Sequence, residues 1–203
     1  MYQLYYAQTG NGRRPAVMLE ECGLAYKATK IDMSKGEHKA PGYLAMNPQG
    51  AVPVLAIEDG GKTTHLSQSG AILLYLAEKT GKFLPKDPAK RAETLQWFMT
   101  AQTDAAPMSS AIFYASAGGL PSKTPENTKF FEDRFLNLMK VFDARLAKSK
   151  FLAGDETTIA DFALVTVVDG RASLLEKQAG YDALKKWHAA MKARPATAKA
   201  LAI

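Results

Sequence analysis

The apolar positions change their period once along the chain, and the change divides it. Up to about residue 80 they fall in short runs separated by turns. Gln3 to Ala7, tyrosine-rich with a leucine between, reads as a strand, and so does Ala28 to Asp32. Pro53 to Ile57 and Lys62 to Leu66 read as a hairpin turned at Asp59-Gly60-Gly61. Between the first two strands Ala16, Leu19 and Cys22 mark one face of a helix whose first turn tolerates Pro15 and which should stop at Gly23. A helix between two strands makes them parallel. Met33 to Met46 is polar and turn-like, with Tyr43 and Leu44 as anchors, and Ser69 to Lys79 is a closing helix capped by Ser69. The order β-α-β, then β-β-α, predicts an α/β layer with a mixed sheet covered by helices.

Gly81-Lys82-Phe83-Leu84-Pro85-Lys86-Asp87-Pro88 breaks the pattern with one glycine and two prolines, and beyond it no strand signal remains. Residues 1–80 are therefore expected as the α/β domain, 81–88 as a linker and 89–203 as an all-helical domain. Ala89 to Met108 and Asn127 to Ser149 carry helical periodicity, with Phe131, Phe135, Leu138 and Phe142 spaced four, three and four. The loop Ala117 to Ser122 between them is a candidate lid. Thr158 with Asp161 three residues on forms a capping box at the start of the next helix, a folding element and not a site. Tyr181 to Met191 is a last helix that Arg194-Pro195 ends.

Composition narrows the class. With 203 residues and 47% hydrophobic positions the chain can bury a sizeable core. The single cysteine, Cys22, can form no intrachain disulfide, which fits cytoplasmic residence, and a buried thiol this far along a helix is expected to be inert. The start of the chain carries no basic, apolar signal segment, and no run reaches the ~18 apolar residues of a membrane helix. A net charge of +6 is spread thinly, its densest pairs being Arg13-Arg14 and Lys185-Lys186. Without an aromatic-interleaved basic motif this reads as solvated surface and no nucleic-acid partner, with a bias that suits a small anionic substrate. No His, Cys or Asp spacing suggests a metal, and there is neither a phosphate loop nor a nucleophile elbow.

The stretch from Asn47 to Ser69 carries the chemistry. Asn47-Pro48-Gln49-Gly50-Ala51-Val52-Pro53 is a turn followed by a Val-Pro step, where a cis peptide is cheap. A cis bond would leave the Val52 amide and carbonyl outside the sheet, ready to pair with an extended peptide. Gln68-Ser69 opens a helix, whose N-terminus attracts anions. These features, at this spacing and followed by Leu73-Leu74-Tyr75-Leu76, resemble the N-terminal half of a cytosolic glutathione transferase. The resemblance covers nearly the whole chain, including the Thr-Ile-Ala-Asp start of the helix at Thr158. It implies a thioredoxin-like first domain, a helical second domain, glutathione as co-substrate without a metal, a hydrophobic electrophile or a peroxide as second substrate, and a homodimer.

Carried over residue by residue, the resemblance assigns the site. Gly36-Glu37-His38-Lys39 is similar to the phi-class loop whose His and Lys hold the glycyl carboxylate, so His38 and Lys39 take that end. Val52 and Pro53 form the backbone clamp. Gln68 and Ser69 take the γ-glutamyl end, Gln68 standing where many relatives have Glu. Ala51 stands where phi and beta members usually place a Gln, which puts more weight on His38 and Lys39. Met108, Phe113 and Tyr114 are the expected wall for the electrophile, with helical core as the competing reading.

For the thiol two assignments stay open. Tyr6 ends the first strand where the tyrosine-dependent classes keep their hydroxyl. Thr9-Gly10-Asn11-Gly12 resembles the Thr-Pro-Asn-Gly of the bacterial nu class, whose Thr hydroxyl and Asn amide approach the glutathione sulfur, with Gly10 in place of the Pro. Thr9 and Asn11 are preferred, Tyr6 second. The implied activity is attack by enzyme-bound glutathione thiolate on an electrophile, a peroxide or a disulfide. The alternative is a non-catalytic glutathione-binding or regulatory protein on the same fold.

Overall fold

A computed structural model describes residues 1–203. The chain forms two compact units, Met1–Leu84 together with Ala193–Ile203, and Pro85–Lys192.

In the first unit β1 (Tyr2–Tyr6), β2 (Tyr26–Lys30), β3 (Val54–Asp59) and β4 (Lys62–Ser67) make one sheet in the order β2-β1-β3-β4. β1 pairs with β2 in parallel, while β1 with β3 and β3 with β4 are antiparallel. The expected mixed sheet is therefore present. Leu4 lies opposite Ala28 on one side and Leu55 on the other, and both leucines are fully buried. Helix α1 (Gly10–Cys22) packs against α3 (Ser69–Thr80), with α2 (Pro41–Met46) between β2 and β3.

Several boundaries differ from the sequence reading, each for a local reason. α1 begins at Gly10, not near Pro15, because Thr9 caps it: the Thr9 hydroxyl accepts the Gly12 amide at 3.0 Å. Pro15 then sits inside the helix, where it removes the N–H that would have bonded the Asn11 carbonyl. β2 starts at Tyr26, two residues earlier than expected, in register with Tyr2. The segment read as turn-like holds a 3₁₀ turn (Glu37–Lys39) and α2, with Pro41 in its first turn and Tyr43 buried beneath. Gln68, not Ser69, is the N-cap of α3. Close approach explains Gly12: a Cβ there would lie 2.1 Å from the Ala7 carbonyl oxygen, so only glycine lets the first turn of α1 rest on the end of β1.

The second unit is helical. α4 (Pro88–Met99) runs through a π-helical turn (Thr100–Ala105) into α5 (Ala106–Ser116), followed by α6 (Pro125–Leu146), α7 (Ile159–Asp169), α8 (Ala172–Glu176) and α9 (Asp182–Lys192). The π turn ends just before Pro107, which has no N–H to give the α-helical ladder, and the Ala106 amide reaches five residues back to Ala101. α7 is buried almost all round, from Ile159 to Val168. The buried seam of α6 is Phe135, Met139, Phe142 and Leu146. Phe131 and Leu138, expected on that seam, instead line a groove of about 620 Å³ with Pro107, Met108 and Arg134.

The last residues belong to the first unit. Pro195 begins a helix, α10 (Pro195–Leu201), where the sequence reading had it only end one. α10 packs on α1 through charged groups: Arg194 and the Thr197 hydroxyl bond Glu21, Lys199 pairs with Glu20, and Arg13 donates to the Leu201 carbonyl. No helix is long and apolar enough to cross a membrane.

Candidate functional site

The site is built where α1 and α3 begin. The Thr9 hydroxyl oxygen is occupied by the Gly12 amide, so its own proton is left to donate elsewhere. Asn11, two residues on, has its Oδ1 2.9 Å from a guanidinium nitrogen, Nη1 of Arg14. The same nitrogen lies 2.7 Å from Oγ of Ser69 at the start of α3. Arg14 is only 1% exposed, and burial pulls its guanidinium down to about 10, which leaves it charged at neutral pH. The sequence reading placed Arg13-Arg14 on the solvated surface. Arg14 is instead interior, because it lies one helical turn after Asn11 on the face of α1 that meets α3.

The clamp is held from below. The Val52–Pro53 peptide is cis, and Val52 lies two residues before the first residue of β3. The Ala51 carbonyl accepts both the Tyr43 hydroxyl at 2.9 Å and the Asn47 amide at 2.6 Å. Val52 packs on the buried cluster of Ile31, Tyr43 and Val54. Gly50 has φ +57°, and a Cβ there would lie 2.8 Å from the His38 carbonyl and the Lys39 ammonium, so glycine is required twice over. That approach brings the 3₁₀ turn to the clamp: Lys39 donates to the Gln49 carbonyl at 3.1 Å. The side chain of Gln49 in turn accepts from Gln68 at 2.9 Å. Gln68 holds a positive φ of 69°, rare for a residue with a side chain, and its carbonyl accepts the Ile72 amide. His38 is half-buried, with Nδ1 enclosed and lacking a hydrogen-bond partner.

Thus Asn11 and Ser69 are linked through Arg14, and Lys39 and Gln68 through Gln49. Gln49 and Arg14 were not singled out from sequence as site residues. The Asn11–Arg14 spacing on a helix was a usable signal for the second, whereas Gln49 needs the fold. Tyr6 is buried at the end of β1, 8% exposed, and no hydrogen bond joins it to Asn11, Arg14 or Ser69. The three residues expected to wall the electrophile are not brought together. Met108 faces the groove with Phe131, while Phe113 and Tyr114, five and six positions on, turn to other faces of α5 and are 50% and 52% exposed, stacked edge to face on each other. Cys22 is buried with its sulfur 3.5 Å from the Thr80 hydroxyl, and burial pushes its thiol up. No group of three His, Cys, Asp or Glu side chains is placed to hold a metal ion.

A thioredoxin-like sheet with a cis-Pro clamp, a polar turn opening α1 and a Gln-Ser step opening α3, followed by a helical unit, defines the class of glutathione-using transferases. Comparison with known proteins agrees. Residues 11–79 match the family described as glutathione S-transferase, N-terminal domain, and residues 107–202 match its C-terminal domain. The chain is 36% identical over 204 residues to the disulfide-bond oxidoreductase YfcG of Escherichia coli, across 99% of this chain and 94% of that one. It is 34% identical to glutathione S-transferase F9 of Arabidopsis thaliana, across 82% and 79%. The crystal structure of the glutathione transferase URE2P6 of Phanerochaete chrysosporium, in complex with oxidised glutathione, superposes with a TM-score of 0.90 at 31% identity, across 98% and 94%. The chain belongs to the glutathione S-transferase family.

Proposed function

We propose that this protein is an enzyme that binds glutathione along Lys39, Val52 and Ser69, activates it as a thiolate at Thr9 and Asn11, and uses it to reduce disulfides. The observation that carries this is the orientation of the opening turn. Thr9 and Asn11 each give their acceptor atom to the protein and keep donor hydrogens for a ligand, and donors aimed at sulfur favour the thiolate. The Val52 backbone is the clamp for the extended tripeptide, Gln68 and Ser69 take the γ-glutamyl end, and His38 with Lys39 take the glycyl carboxylate. Tyr6 is the alternative thiol donor.

With one cysteine, and that one buried, the protein supplies no redox thiol of its own, so glutathione itself is the nucleophile. Its thiolate attacks one sulfur of the disulfide. A new S–S bond forms, and the second sulfur leaves with the electron pair and takes a proton from solvent. A second glutathione thiolate then attacks the mixed disulfide, so two glutathiones are oxidised for each disulfide reduced. The name of YfcG and the oxidised glutathione bound to URE2P6 favour this electron path. Conjugation to an electrophile or reduction of a peroxide is the second reading, favoured by the likeness to glutathione S-transferase F9. The electrophile would meet Met108, Phe113 or Tyr114. The protein is proposed to act in the cytoplasm as a homodimer, and a mass by light scattering near the 22.0 kDa of one chain would count against the dimer.

The test is a side-by-side assay with glutathione of a small disulfide, an organic hydroperoxide and a chloronitrobenzene. Turnover of the disulfide above the other two is expected. Glutathione binding with no turnover of any of the three would instead make this a glutathione-binding or regulatory protein.

A further inference from the structure

We propose that Arg14 is a positioning residue that fixes which way Asn11 and Ser69 point, turning both into hydrogen-bond donors for bound glutathione. This rests on the reading that the thiolate sits against Asn11. An asparagine can offer a ligand either end of its amide, and the two ends have opposite effects on a thiolate: the NH₂ stabilises it and the oxygen repels it. The ends differ by a half-turn about one soft torsion, so something must choose. A guanidinium carries donors only. The Asn11 atom 2.9 Å from Arg14 Nη1 must therefore be the oxygen, since an NH₂ there would set donor against donor. Nδ2 with both its hydrogens is then directed away from Arg14.

The same reasoning holds at α3. The Ser69 hydroxyl could accept from a ligand or donate to it. At 2.7 Å from the same nitrogen it must accept from Arg14, and its proton is left for an anion at the helix N-terminus. One buried nitrogen thus sets the direction of a donor at each end of the γ-glutamyl-cysteinyl half of the ligand. Enclosure keeps it there: at 1% exposure water does not compete for the guanidinium, so its hydrogen bonds hold with the strength of a low-dielectric site. Arg13, the next residue, donates to the Leu201 carbonyl.

The test is an ultraviolet titration of the thiol in the complex with reduced glutathione. Asn11→Ala should raise the thiol pKa by about one to two units, or about ten- to a hundredfold less thiolate below it. Arg14→Met, which keeps the length of the chain and removes the donor, should raise it by as much. The double variant should go no further than the larger single, because the two residues act on one donor. Both contacts come from a single nitrogen, so Arg14→Lys should recover at least half of the shift, and a Lys variant as impaired as Met would overturn the assignment. A shift in Asn11→Ala with none in Arg14→Met would overturn the role of Arg14 and leave the site reading intact. No shift in Asn11→Ala would overturn both. Should Arg14→Met not fold, Asn11→Asp decides: it is the same shape, keeps one oxygen on Arg14 and puts the other where Nδ2 was, so the thiol pKa should rise above that of Asn11→Ala. A value no higher would overturn the proposal.

Discussion

Two charged side chains are fully buried, one in each unit, and they are held in opposite ways. Asp161, in the second unit, accepts four hydrogen bonds. The Leu152 amide and the Trp187 indole reach Oδ1 at 3.1 and 3.0 Å, and the Thr158 amide and hydroxyl reach Oδ2 at 2.9 and 3.2 Å. Burial pushes its carboxyl above the usual range, while the backbone of Thr158 and Leu152, then Trp187 and the Thr158 hydroxyl, pull it back. Every one of those donors ends on Asp161. The carboxylate closes the loop before α7 onto the helix start and pins α9 to it. Arg14 is bonded to polar side chains, Asn11 and Ser69, that still have hydrogens to give. Asp161 is held by backbone amides, an indole and one hydroxyl that all end on it, whereas Arg14 is proposed to orient polar side chains toward a ligand.

The comparison can be broken from either side. The largest effect is expected from Asp161→Ala, which takes the acceptor from four buried donors, only the Thr158 hydroxyl being able to rotate elsewhere, and removes the reciprocal half of the capping box. Each unsatisfied donor costs about 1–3 kcal/mol, so the loss is roughly 3–5 kcal/mol. Calorimetry should show a drop in melting temperature on the order of 10 °C. The thiol pKa in whatever complex remains folded should not move. A change of thiol pKa with an unchanged melt would reverse the roles assigned to the two charges.

Smaller is the effect of the 3₁₀ turn that carries His38 and Lys39. Removing both His38 and Lys39 should raise the glutathione KM about tenfold with kcat little changed, since the contacts proposed for them would be as strong in the ground state as in the transition state. An unchanged KM would show that the 3₁₀ turn does not hold the glycyl carboxylate. Smaller still is Gln49→Ala, which frees only the Gln68 side chain, because Lys39 bonds the Gln49 backbone carbonyl that alanine keeps. A KM change below about threefold is expected, in keeping with a single exposed neutral hydrogen bond.

The two regions also differ in how far the sequence reveals them. The capping box at Thr158 and Asp161 is local, three residues apart, and its hydrogen bonds can be anticipated from spacing alone. The hairpin at Gly60-Gly61 and the cis Val52–Pro53 step are local in the same sense. Arg14 is half local. Its contact to Asn11 spans three residues, but Ser69 is fifty-five positions away, and the guanidinium is enclosed where α1 packs on α3. Composition misplaces it for that reason, as one more basic residue in a chain of net charge +6. Gln49 is likewise invisible until Gly50 lets the Lys39 turn close on it. The helix α10 was missed because Pro195 serves as a helix start as readily as a stop, and only packing against α1 tells which. Position near one helix end does not tell which face a residue takes: Met108 lines a groove, while Phe113 and Tyr114 stack on each other away from it.

The opening turn of α1, not the tyrosine at the end of β1, is proposed to make the thiolate. This is tested most directly by the pH profile of kcat/KM for the second substrate with glutathione saturating, in Thr9→Ala, Asn11→Ala and Tyr6→Phe. Loss of one donor to a charged sulfur costs about 1–3 kcal/mol, so the acid limb of the profile should move upward by about one to two units in Thr9→Ala and Asn11→Ala and stay in place in Tyr6→Phe. An acid limb that moves in Tyr6→Phe alone, with turnover lost there and both turn variants behaving as wild type, would contradict the account and place the thiol on the tyrosine.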